Sequence, residues 1–428
     1  MNNSTIQDKQ GTSDFIQSYI KSNYRILGEN KHSAIKPCHW LEQKLMTGRA
    51  NRNCYKEVFG VESHRCLQNT PSLPFCNHQC VFCWRDIENS LDSEFSIKAD
   101  DPADLVEEML RHQRNIVKQH LPLKRYLFNY EIMIDILHYM STNKERQELD
   151  KLASVLSISK NKTFRALNLL KNQDFVKLVD PNTDAYELDA DIKCCLSSRD
   201  EIELLVNREL TTPKEIMKTH NEALNPNHAA ISLDGEPLLY PRVSGLVHQF
   251  RKRGMTTFIV TNSTLPEKIE QMDSLPSQFY FTLPAPNEQI YKRTCRPMVR
   301  NGWEKINKSL ELVDSLSTRT LIRLTAIKNL NLREDFLNEY IKIIDRANPN
   351  FFEIKGFTLQ AKALQISERL KSQHPVKYYF PKYNYLKDIA QEFEKRSGFP
   401  LIYKNERSRD FLFAVNWDEN KDPAIETP

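Results

Sequence analysis

Three closely spaced cysteines are the residues in this chain most able to do chemistry. Cys76, Cys80 and Cys83 form a C-x3-C-x2-C triplet. A structural zinc site usually has four ligands in two paired knuckles, and here the next cysteine pair, Cys194-Cys195, follows more than a hundred residues later. Three thiolates on a four-iron cubane leave one iron open to bind a substrate or cofactor. The triplet therefore favours an iron–sulfur cluster, with a zinc loop as the alternative.

The same spacing resembles the cluster loop of radical S-adenosylmethionine (radical SAM) enzymes. In that superfamily the open iron is chelated by the amino and carboxylate groups of the methionine, and an electron from the cluster cleaves the sulfonium. The resemblance implies a [4Fe-4S] cluster on the triplet and S-adenosyl-L-methionine as a cofactor. Phe82 and Trp84, beside the thiolates, suit a loop that packs over a cluster and an adenine.

Two later motifs lie where this cofactor would be held. Gly235-Glu236-Pro237 follows a predicted strand and resembles the GGE-type motif of the superfamily. A glycine lets the backbone approach a ligand closely, and a carboxylate gives an ammonium group a charge-assisted partner. Taken alone, the same residues are typical of an ordinary strand-to-helix turn. The resemblance also implies contacts to the ribose or the carboxylate from the end of the next strand, at Thr261, Asn262 and Ser263.

Three further cysteines, Cys38, Cys54 and Cys66, precede the triplet in polar and basic surroundings that favour thiolate. Without those surroundings they would be typical of buried small hydrophobes. The segments that carry them, "HSAIKPCHW", "NCYK" and "SHRCLQNTPS", resemble in order the motifs of the tRNA 4-demethylwyosine synthases, radical SAM enzymes of archaeal and eukaryotic wyosine-base synthesis. The likeness is to the archaeal single-domain type. Later matches are "ISLDGEPLLYP" (231–241), "KRTCRP" (292–297) and "RTLIRLT" (319–325), so the resemblance covers roughly residues 30–120 and 205–360.

The resemblance implies that Cys38, Cys54 and Cys66 hold a second [4Fe-4S] cluster, whose free iron faces the active site. Lys56 matches the family lysine that forms a Schiff base with pyruvate, the co-substrate, and is the expected catalytic residue. A partly desolvated lysine near a cationic cluster has a lowered pKa, which frees its amine. Outside this context Lys56 would be an ordinary surface lysine. Arg323, within "RTLIRLT", is expected to contact the cofactor.

In the family's reaction, N1-methylguanosine next to the anticodon of tRNA(Phe) condenses with pyruvate to form the tricyclic base 4-demethylwyosine. A 5′-deoxyadenosyl radical takes hydrogen from the N1-methyl group, and the carbon radical adds to pyruvate. Carbon–carbon cleavage then releases the pyruvate carboxyl carbon, so the implied enzyme is a carbon–carbon lyase. The target base must leave its stack to reach such a centre. Since no flavodoxin-like segment is visible in the sequence, we expect an external electron donor of the ferredoxin or flavodoxin type.

A parallel α/β fold is needed to bring these motifs together. From about residue 200, short β-rich runs alternate with longer helical patterns. The predicted strands are 228–233, 255–260, 278–283, 320–327 and 351–357, with "RCLQNTPS" first, and the predicted helices lie near 103–119, 241–253, 287–294, 302–316 and 334–347. This alternation is typical of βαβ units, whose working edge lies at the carboxyl ends of the strands. The resemblance further implies a partial (β/α)6 TIM-like barrel of the radical SAM type.

Residues 123–207 interrupt this alternation with a self-contained pattern. A helix, a helix–turn–helix and a hairpin turning at "DPNTDA" give the order of a winged-helix module. Its third helix carries Lys160, Lys162 and Arg165, which suit contact with nucleic acid or, equally, the solvated face of a packing module. The predicted organisation is a poorly ordered start at 1–30, a first core part with both cluster motifs at 31–122, an inserted, mainly helical winged-helix-like module at 123–207, a second core part at 208–416 and a tail at 417–428.

The composition is that of an ordinary soluble globular protein, with 40% hydrophobic and 27% charged residues. No window reaches the ~18 apolar residues of a membrane span, and the first residues contain no apolar stretch of signal-peptide length. We therefore expect a cytoplasmic monomer that contacts no membrane. A net charge of +4 permits nucleic acid as a partner. The candidate phosphate contacts, each of which would alone be an ordinary surface charge, are Arg49, Arg52, Arg65, Arg85, Lys292, Arg293, Arg296 and Arg300.

The chain departs from the family pattern at two places. Pro284, in "TLPAPN", stands where the family has an acid, so a carboxylate and a backbone donor are missing there. The family's late "MPxH"-like stretch is not visible after "FFEIKGFTLQAKAL". A two-cluster radical SAM paralogue with another substrate therefore stays open as an alternative. From a different class, a zinc-binding winged-helix protein that binds nucleic acid also stays open.

Overall fold

The computed structural model describes residues 10–47, 54–85, 87, 92–120, 123–143, 145–172, 175–180, 183–189, 198–209 and 213–425. These residues divide into two compact units. The first unit comprises the described residues up to Leu41, those of Asn51–Ile116 and those from Ala223 onward. The second comprises the described residues of Glu42–Ala50 and of Val117–Glu222. No helix in the described ranges is both long and apolar enough to cross a membrane.

A large mixed sheet is the core of the first unit. The strands in the described residues are β1 (Arg25–Leu27), β2 (Ser33–Ile35), β3 (Cys66–Thr70), β4 (Gln147–Glu148), β5 (Val176–Asp180), β6 (Ala185–Leu188), β7 (His228–Ile231), β8 (Thr256–Thr261), β9 (Gln278–Thr282), β10 (Arg319–Ala326), β11 (Phe351–Gly356), β12 (Leu401–Asn405) and β13 (Asp410–Ala414). The large sheet has the order β1-β2-β3-β7-β8-β9-β10-β11-β13-β12. Its six central strands are β3, β7, β8, β9, β10 and β11, and they run parallel. Antiparallel pairs extend the sheet at both edges. The expected partial (β/α)6 barrel is confirmed.

Helices follow the parallel strands as the alternation in the sequence predicts. Outside the inserted segment the α-helices are Gln10–Lys21, His39–Thr47, Pro102–Gln119, Val243–Arg251, Pro266–Glu270, Glu288–Cys295, Gly302–Glu311, Leu337–Ala347, Ile366–Arg369, Val376–Tyr379 and Tyr383–Ser397. These helices pack on the outer side of the sheet. They contribute Leu246, Ile306 and Ile344 to the core there, and all three side chains are fully buried. The helix predicted at 302–316 ends early, because a 3-10 turn replaces it at Val313–Ser315.

The inner side of the sheet follows from the alternation of side chains along each strand. Phe279 and Phe281 of β9 belong to the outer core, whereas Tyr280 between them packs on the inner side with Phe258 and Cys66. The inner side therefore collects aromatic, charged and thiol side chains instead of a purely aliphatic core.

The second unit has the winged-helix order. Its α-helices are Leu123–Thr142, Leu149–Val155, Lys160–Asn172, Arg199–Glu209 and Pro213–Ala223. The second and third of these form the helix–turn–helix, and β5 and β6 form an antiparallel wing that β4 joins. Residues 181 and 182, in the expected wing turn, lie outside the described residues. The unit continues past residue 207 because Ile216 is fully buried in its core together with Ile202 and Val206.

The start of the chain is more ordered than the sequence suggested. Residues 1–30 were expected to be poorly ordered, but the helix Gln10–Lys21 and β1 form there. They form because Tyr19 and Tyr24 are buried in a small apolar cluster. Since β1 pairs with β2, this segment is part of the large sheet.

The tail 417–428 is also packed as far as it is described. The rings of Trp417 and Phe351 have their centroids 5.0 Å apart. The amide of Ile425 donates to the carbonyl of Phe59 at 2.9 Å. The tail therefore contributes to the first unit instead of extending freely from it.

Candidate active site

The cysteine triplet lies in the loop that follows β3, at the carboxyl edge of the parallel strands. Burial raises the pKa of the Cys76 thiol well above its usual value, and the neighbouring Cys80 thiol raises it further. Burial likewise raises the pKa of Cys83 to about 11, although the Arg85 guanidinium opposes the shift. The three thiols are thus close enough to act on one another's ionisation. A half-buried set of three soft sulfur donors fits an iron–sulfur cluster, which would bind them as thiolates.

The helix Glu288–Cys295 fixes the middle of the cysteine loop. The amides of Gln79 and Val81 each donate, at 2.9 Å, to a carbonyl in the last turn of this helix. The thiol of Cys295 lies within 4.8 Å of the thiol of Cys80. The motif "KRTCRP" marked this helix in the sequence, but its contact with the loop had no sequence signal.

Gly235 is needed where the turn after β7 meets the cysteine loop. Its φ of +67° lies in the left-handed region, and a Cβ at this position would be 1.9 Å from the carbonyl oxygen of Ser72. Hydrogen bonds hold the contact, because the Glu236 amide donates to the Phe75 carbonyl at 2.8 Å and the Ser72 hydroxyl donates to the Glu236 carbonyl at 2.8 Å. Pro237 begins a single 3-10 turn. The sequence predicted a close approach of this glycine to a ligand, whereas its observed close neighbour is the loop that carries the cysteines.

The Glu236 carboxylate joins the ends of β7 and β8. It accepts hydrogen bonds from the Thr261 hydroxyl at 2.8 Å, the Leu238 amide at 3.0 Å and the Asn262 amide at 2.6 Å. Burial raises the pKa of Glu236, and these donors oppose the rise. The carboxylate also raises the pKa of Cys76, so it lies beside the triplet. The three donors use three of its roughly four acceptor positions, which leaves one for an ammonium group.

The turn after β8 contacts the cysteine loop through side chains. Asn262 donates from Nδ2 to Oδ1 of Asn77 at 2.6 Å, and Asn77 donates from Nδ2 to the Thr264 hydroxyl at 2.8 Å. Ser263 is buried, with a φ of +65°. Because Asn77 directly follows Cys76, the predicted cofactor residues at this turn and the triplet come together. Asn77 and Thr264 were missed, since a single polar residue in a loop carries no periodic signal.

Arg369, which lies far from the triplet in sequence, donates hydrogen bonds to the end of the cysteine loop. Arg369 donates from Nη1 to the carbonyl of Cys83 at 2.6 Å and from Nη2 to the carbonyl of Arg85 at 3.3 Å. A guanidinium presents its donors in a planar fork, so one buried arginine can fix several carbonyls at once. Arg369 has no signal in the sequence, because its contact with Cys83 spans 286 positions.

Arg85 is not available as a phosphate contact, so this prediction was wrong. Its Nη1 lies 3.3 Å from Oδ1 of Asp234, and the Tyr24 hydroxyl donates to the other oxygen of that carboxylate at 3.3 Å. The buried carboxylate comes from the turn after β7, and the sequence pattern did not reveal its position. Arg49 and Arg52 lie outside the described residues.

The three upstream cysteines come together around Lys56, and we call Cys38, Cys54, Cys66 and Lys56 the Lys56 group. Burial raises the pKa of Cys38 and of Cys54 to about 12. The thiol of Cys66 adds to the first shift, and that of Cys38 adds to the second. Burial raises the pKa of Cys66 to about 11, although the Lys56 ammonium opposes the shift. Because Cys66 begins β3 and the triplet follows its end, this strand connects the two sets of thiols.

Lys56 is almost completely buried, with 3% of it exposed. Its Nζ lies 5.4 Å from the ring centroids of both Tyr55 and Phe258. Burial alone lowers the pKa of Lys56, but attraction to Tyr55 and to the thiols of Cys66 and Cys54 is stronger, so the net direction is upward. The sequence predicted a lowered pKa, and the difference arises because these acidic neighbours outweigh burial. Lys56 is nonetheless an interior residue, as its predicted role requires.

Arg323 contacts the Tyr55 ring, which lies next to the Lys56 group. Its Nε donates to Oε2 of Glu353 at 2.5 Å. Its Cζ lies 4.2 Å from the ring centroid of Tyr55 and 4.6 Å from that of Tyr280. Tyr280 and Glu353 were missed, although the alternation in "QFYFT" and "FFEIK" places both on the inner side together with Arg323.

The chain is similar in sequence to known proteins over most of its length. The sequence model of the Radical SAM superfamily matches residues 194–363. The S-adenosyl-L-methionine-dependent tRNA 4-demethylwyosine synthase of Pyrococcus horikoshii is 36% identical over 343 residues, which cover 79% of this chain and 72% of that protein. The protein of the same name from Methanocaldococcus jannaschii is 26% identical over 394 residues, covering 91% of this chain and 92% of that one.

Two solved structures show the same fold. The "Structure of TYW1 with a lysine-pyruvate adduct bound" has a TM-score of 0.62 at 23% identity and covers 96% of this chain and 98% of its own. The "Crystal structure of archaeal TYW1" has a TM-score of 0.57 at 22% identity and covers 96% and 99%. The chain is a radical SAM enzyme, with an iron–sulfur cluster and S-adenosyl-L-methionine as cofactors, and not a zinc-binding regulator. It belongs to the family of the S-adenosyl-L-methionine-dependent tRNA 4-demethylwyosine synthases.

Proposed function

We propose that the chain converts N1-methylguanosine, next to the anticodon of tRNA(Phe), into the tricyclic base 4-demethylwyosine with pyruvate as co-substrate. The observation that carries this proposal is the burial of Lys56 among three thiols on the inner side of the barrel. The activity in the names of the relatives supports the product, and the solved structure with a lysine–pyruvate adduct supports the co-substrate.

The two sets of thiols have separate tasks in this proposal. Cys76, Cys80 and Cys83 hold one [4Fe-4S] cluster, and Cys38, Cys54 and Cys66 hold a second. The residues assigned to S-adenosyl-L-methionine are Gly235, Glu236, Pro237, Thr261, Asn262 and Ser263. When bound, the triplet's cluster and this cofactor supply the radical that activates the N1-methyl group. The remaining acceptor position of Glu236 takes the ammonium of the methionine.

Lys56 holds pyruvate as a Schiff base. Its Nζ forms a bond to the keto carbon, and the keto oxygen leaves as water, so the three-carbon unit is fixed in place. The deep burial of Lys56 keeps bulk water from hydrolysing the imine. The later carbon–carbon cleavage releases the carboxyl carbon. Two pyruvate carbons stay in the product, the keto carbon as a member of the new ring and the methyl carbon as its substituent.

The RNA substrate must present a base that has left the anticodon stack. Cations that suit its phosphates are exposed on both units, namely Lys162 and Arg165 on the second helix of the helix–turn–helix, and Lys292, Arg293, Arg296 and Arg300 near the cysteine loop. An external ferredoxin- or flavodoxin-type protein supplies the electron. The enzyme acts as a cytoplasmic monomer in this proposal.

The test is anaerobic turnover of the reconstituted chain with pyruvate, S-adenosyl-L-methionine and tRNA(Phe). We expect mass spectrometry of the nucleosides to show the tricyclic base with tRNA that carries N1-methylguanosine and none with the unmethylated tRNA. Cofactor cleavage without any tricyclic base would reject this substrate in favour of the two-cluster paralogue. Pro284 is the residue that favours that second candidate, because it stands where the family has an acid and therefore provides neither a carboxylate nor a backbone donor.

A further inference from the structure

A buried arginine next to Lys56 has an unused donor. Arg323 is 7% exposed, and only its Nε contacts the carboxylate of Glu353. Its Nη2 has no hydrogen-bond partner among the described residues. A buried charged donor without a partner costs free energy, so such a group in a native fold calls for an explanation. A ligand that accepts from Nη2 would remove this cost.

A buried tyrosine hydroxyl beside the arginine is also unused. Tyr280 is fully buried on the inner side of β9, and its ring lies under the guanidinium of Arg323, with 4.6 Å between centroid and Cζ. Its hydroxyl lacks a hydrogen-bond partner in the part of the chain that the structure describes. The two unused donors lie on the same face of adjacent strands, two residues apart in the register. They are a better match to one two-oxygen acceptor than to two independent defects.

Both donor side chains lie against the Tyr55 ring, which also lies against the lysine amine. The Tyr55 ring is shared, because its centroid lies 5.4 Å from Nζ of Lys56 and 4.2 Å from Cζ of Arg323. The ring centroids of Tyr55 and Tyr280 are 6.4 Å apart. Phe258 provides a second aromatic wall at Lys56, at 5.4 Å from Nζ. A small carbonyl compound bonded to Nζ would therefore have an apolar wall for its methyl group and two donors within reach of its other end.

We propose that Nη2 of Arg323 and the hydroxyl of Tyr280 bind the carboxylate of the 2-oxo acid that Lys56 holds. This inference rests on the proposed Schiff base at Lys56 and adds the residues that select a 2-oxo acid over other carbonyl compounds. An arginine and a phenol bind a carboxylate by charge-assisted hydrogen bonds, which a ketone or an aldehyde without that group cannot form. Glu353 keeps the guanidinium in position through Nε. In this inference Arg323 acts on the co-substrate, whereas the sequence led us to expect a contact with S-adenosyl-L-methionine.

The test is borohydride trapping on the anaerobically reconstituted chain, with peptide mass spectrometry of the segment that contains Lys56. Pyruvate and acetaldehyde are the two probes, because both form a Schiff base but only pyruvate has a carboxylate. The variants are Tyr280→Phe, which removes only the unused hydroxyl, and the double variant Arg323→Gln/Glu353→Gln, which removes the ion pair without leaving a lone buried charge. Tyr340→Phe is the control, because the hydroxyl of Tyr340 is buried but already donates to Asn331 at 2.7 Å.

We expect each variant to need about tenfold or more pyruvate for half-maximal trapping, while its acetaldehyde trapping stays at the wild-type level. The control should match the wild type with both probes. Unchanged pyruvate trapping in Tyr280→Phe and in the double variant would overturn the inference. So would an equal loss with both probes, because that result would report damage to Lys56 itself. If pyruvate does not label Lys56 in the wild type, the proposed Schiff base fails first, and the subsite fails with it.

Discussion

The guanidinium of Arg369 donates to the carbonyl of Cys83 at 2.6 Å, across 286 positions of the sequence. The same guanidinium reaches the carbonyl of Arg85 at 3.3 Å. The last cysteine of the triplet is therefore held by a short helix near the end of the barrel as well as by its own loop. Loading of the triplet with iron should depend on a residue that is far from the motif in sequence.

Replacing Arg369 by Gln tests this dependence. The change removes charge-assisted hydrogen bonds from a buried site, so we expect the free energy of unfolding to fall by about 2 kcal/mol. We also expect less iron per chain after anaerobic reconstitution, because the loop carbonyls lose their common donor. Arg346→Gln is the control, since Arg346 is an exposed arginine bonded to Asn307. If Arg369→Gln binds as much iron as the wild type, Arg369 is not needed to hold the cysteine loop for the cluster.

Gly235 and Gly254 have almost the same φ angle but different surroundings. Replacing each by alanine therefore separates the cost of the left-handed backbone from the cost of a collision with the added Cβ. Gly235 and Gly254 have φ values of +67° and +69°, but a Cβ at Gly254 would meet no atom within 4 Å. Gly254→Ala should therefore cost only the left-handed strain, about 1 kcal/mol. Gly235→Ala should cost clearly more and should lower iron content, because its Cβ collides with the backbone of the cysteine loop at Ser72. Urea unfolding measures both costs, and equal costs would show that the contact with the loop is not needed.

The two proposed clusters can be counted by iron analysis. With one four-iron cluster on each set of thiols, the wild type should hold roughly eight irons per chain. Cys76→Ser and Cys66→Ser should each lose about half of this iron, because each removes one ligand of a different cluster. Cys295→Ser should keep the full iron content, because Cys295 is close to Cys80 but belongs to neither set of ligands. Full iron content in Cys66→Ser would argue against a second cluster in the Lys56 group.

The winged-helix unit should contribute to RNA affinity through its exposed cations. The double variant Lys162→Glu/Arg165→Glu should weaken binding of tRNA(Phe) about tenfold and make it less dependent on salt, because fewer phosphates are neutralised. Lys308→Glu/Lys395→Glu changes the net charge equally at exposed lysines of the other unit and is the control. Affinities measured by filter binding at several salt concentrations decide the matter. If both double variants lose the same affinity for tRNA(Phe), the loss is caused by the change in net charge and not by the loss of contacts from this helix.

The central strands and the cofactor motifs could be predicted because each carries a local signal. "TTFIV", "QFYFT" and "TLIRLT" are runs of β-branched and aromatic residues between helical patterns, and the cysteine spacing is fixed by cluster geometry. The edge strands β1, β2, β12 and β13 were not predicted, although "DFLFA" of β13 is an apolar and aromatic run like those of the central strands. The first two have three residues each, too few for a periodic pattern, and all four pair antiparallel at the ends of the sheet.

The parts of the site that escaped prediction depend on contacts between distant segments. Asp234 forms an ion pair with Arg85, and Arg369 donates hydrogen bonds to the cysteine loop. Neither contact has a signal in the local sequence. The role of Gly235 was predicted as close approach, but its actual neighbour could only be known once the turn and the loop were placed together. The raised pKa of Lys56 likewise depends in part on the thiol of Cys66, which comes from another segment of the chain.

Pyruvate labelled with carbon-13 shows which of its carbons enter the RNA and whether Lys56 is needed for their transfer. The reconstituted wild type and Lys56→Ala are each supplied with tRNA(Phe) carrying N1-methylguanosine and with pyruvate labelled with carbon-13 either at C1 or at C2 and C3. We predict that the wild type forms a tricyclic base that contains both C2 and C3 and no C1, and that Lys56→Ala forms none although it still cleaves S-adenosyl-L-methionine. A labelled tricyclic base made by Lys56→Ala at the wild-type yield would contradict the account.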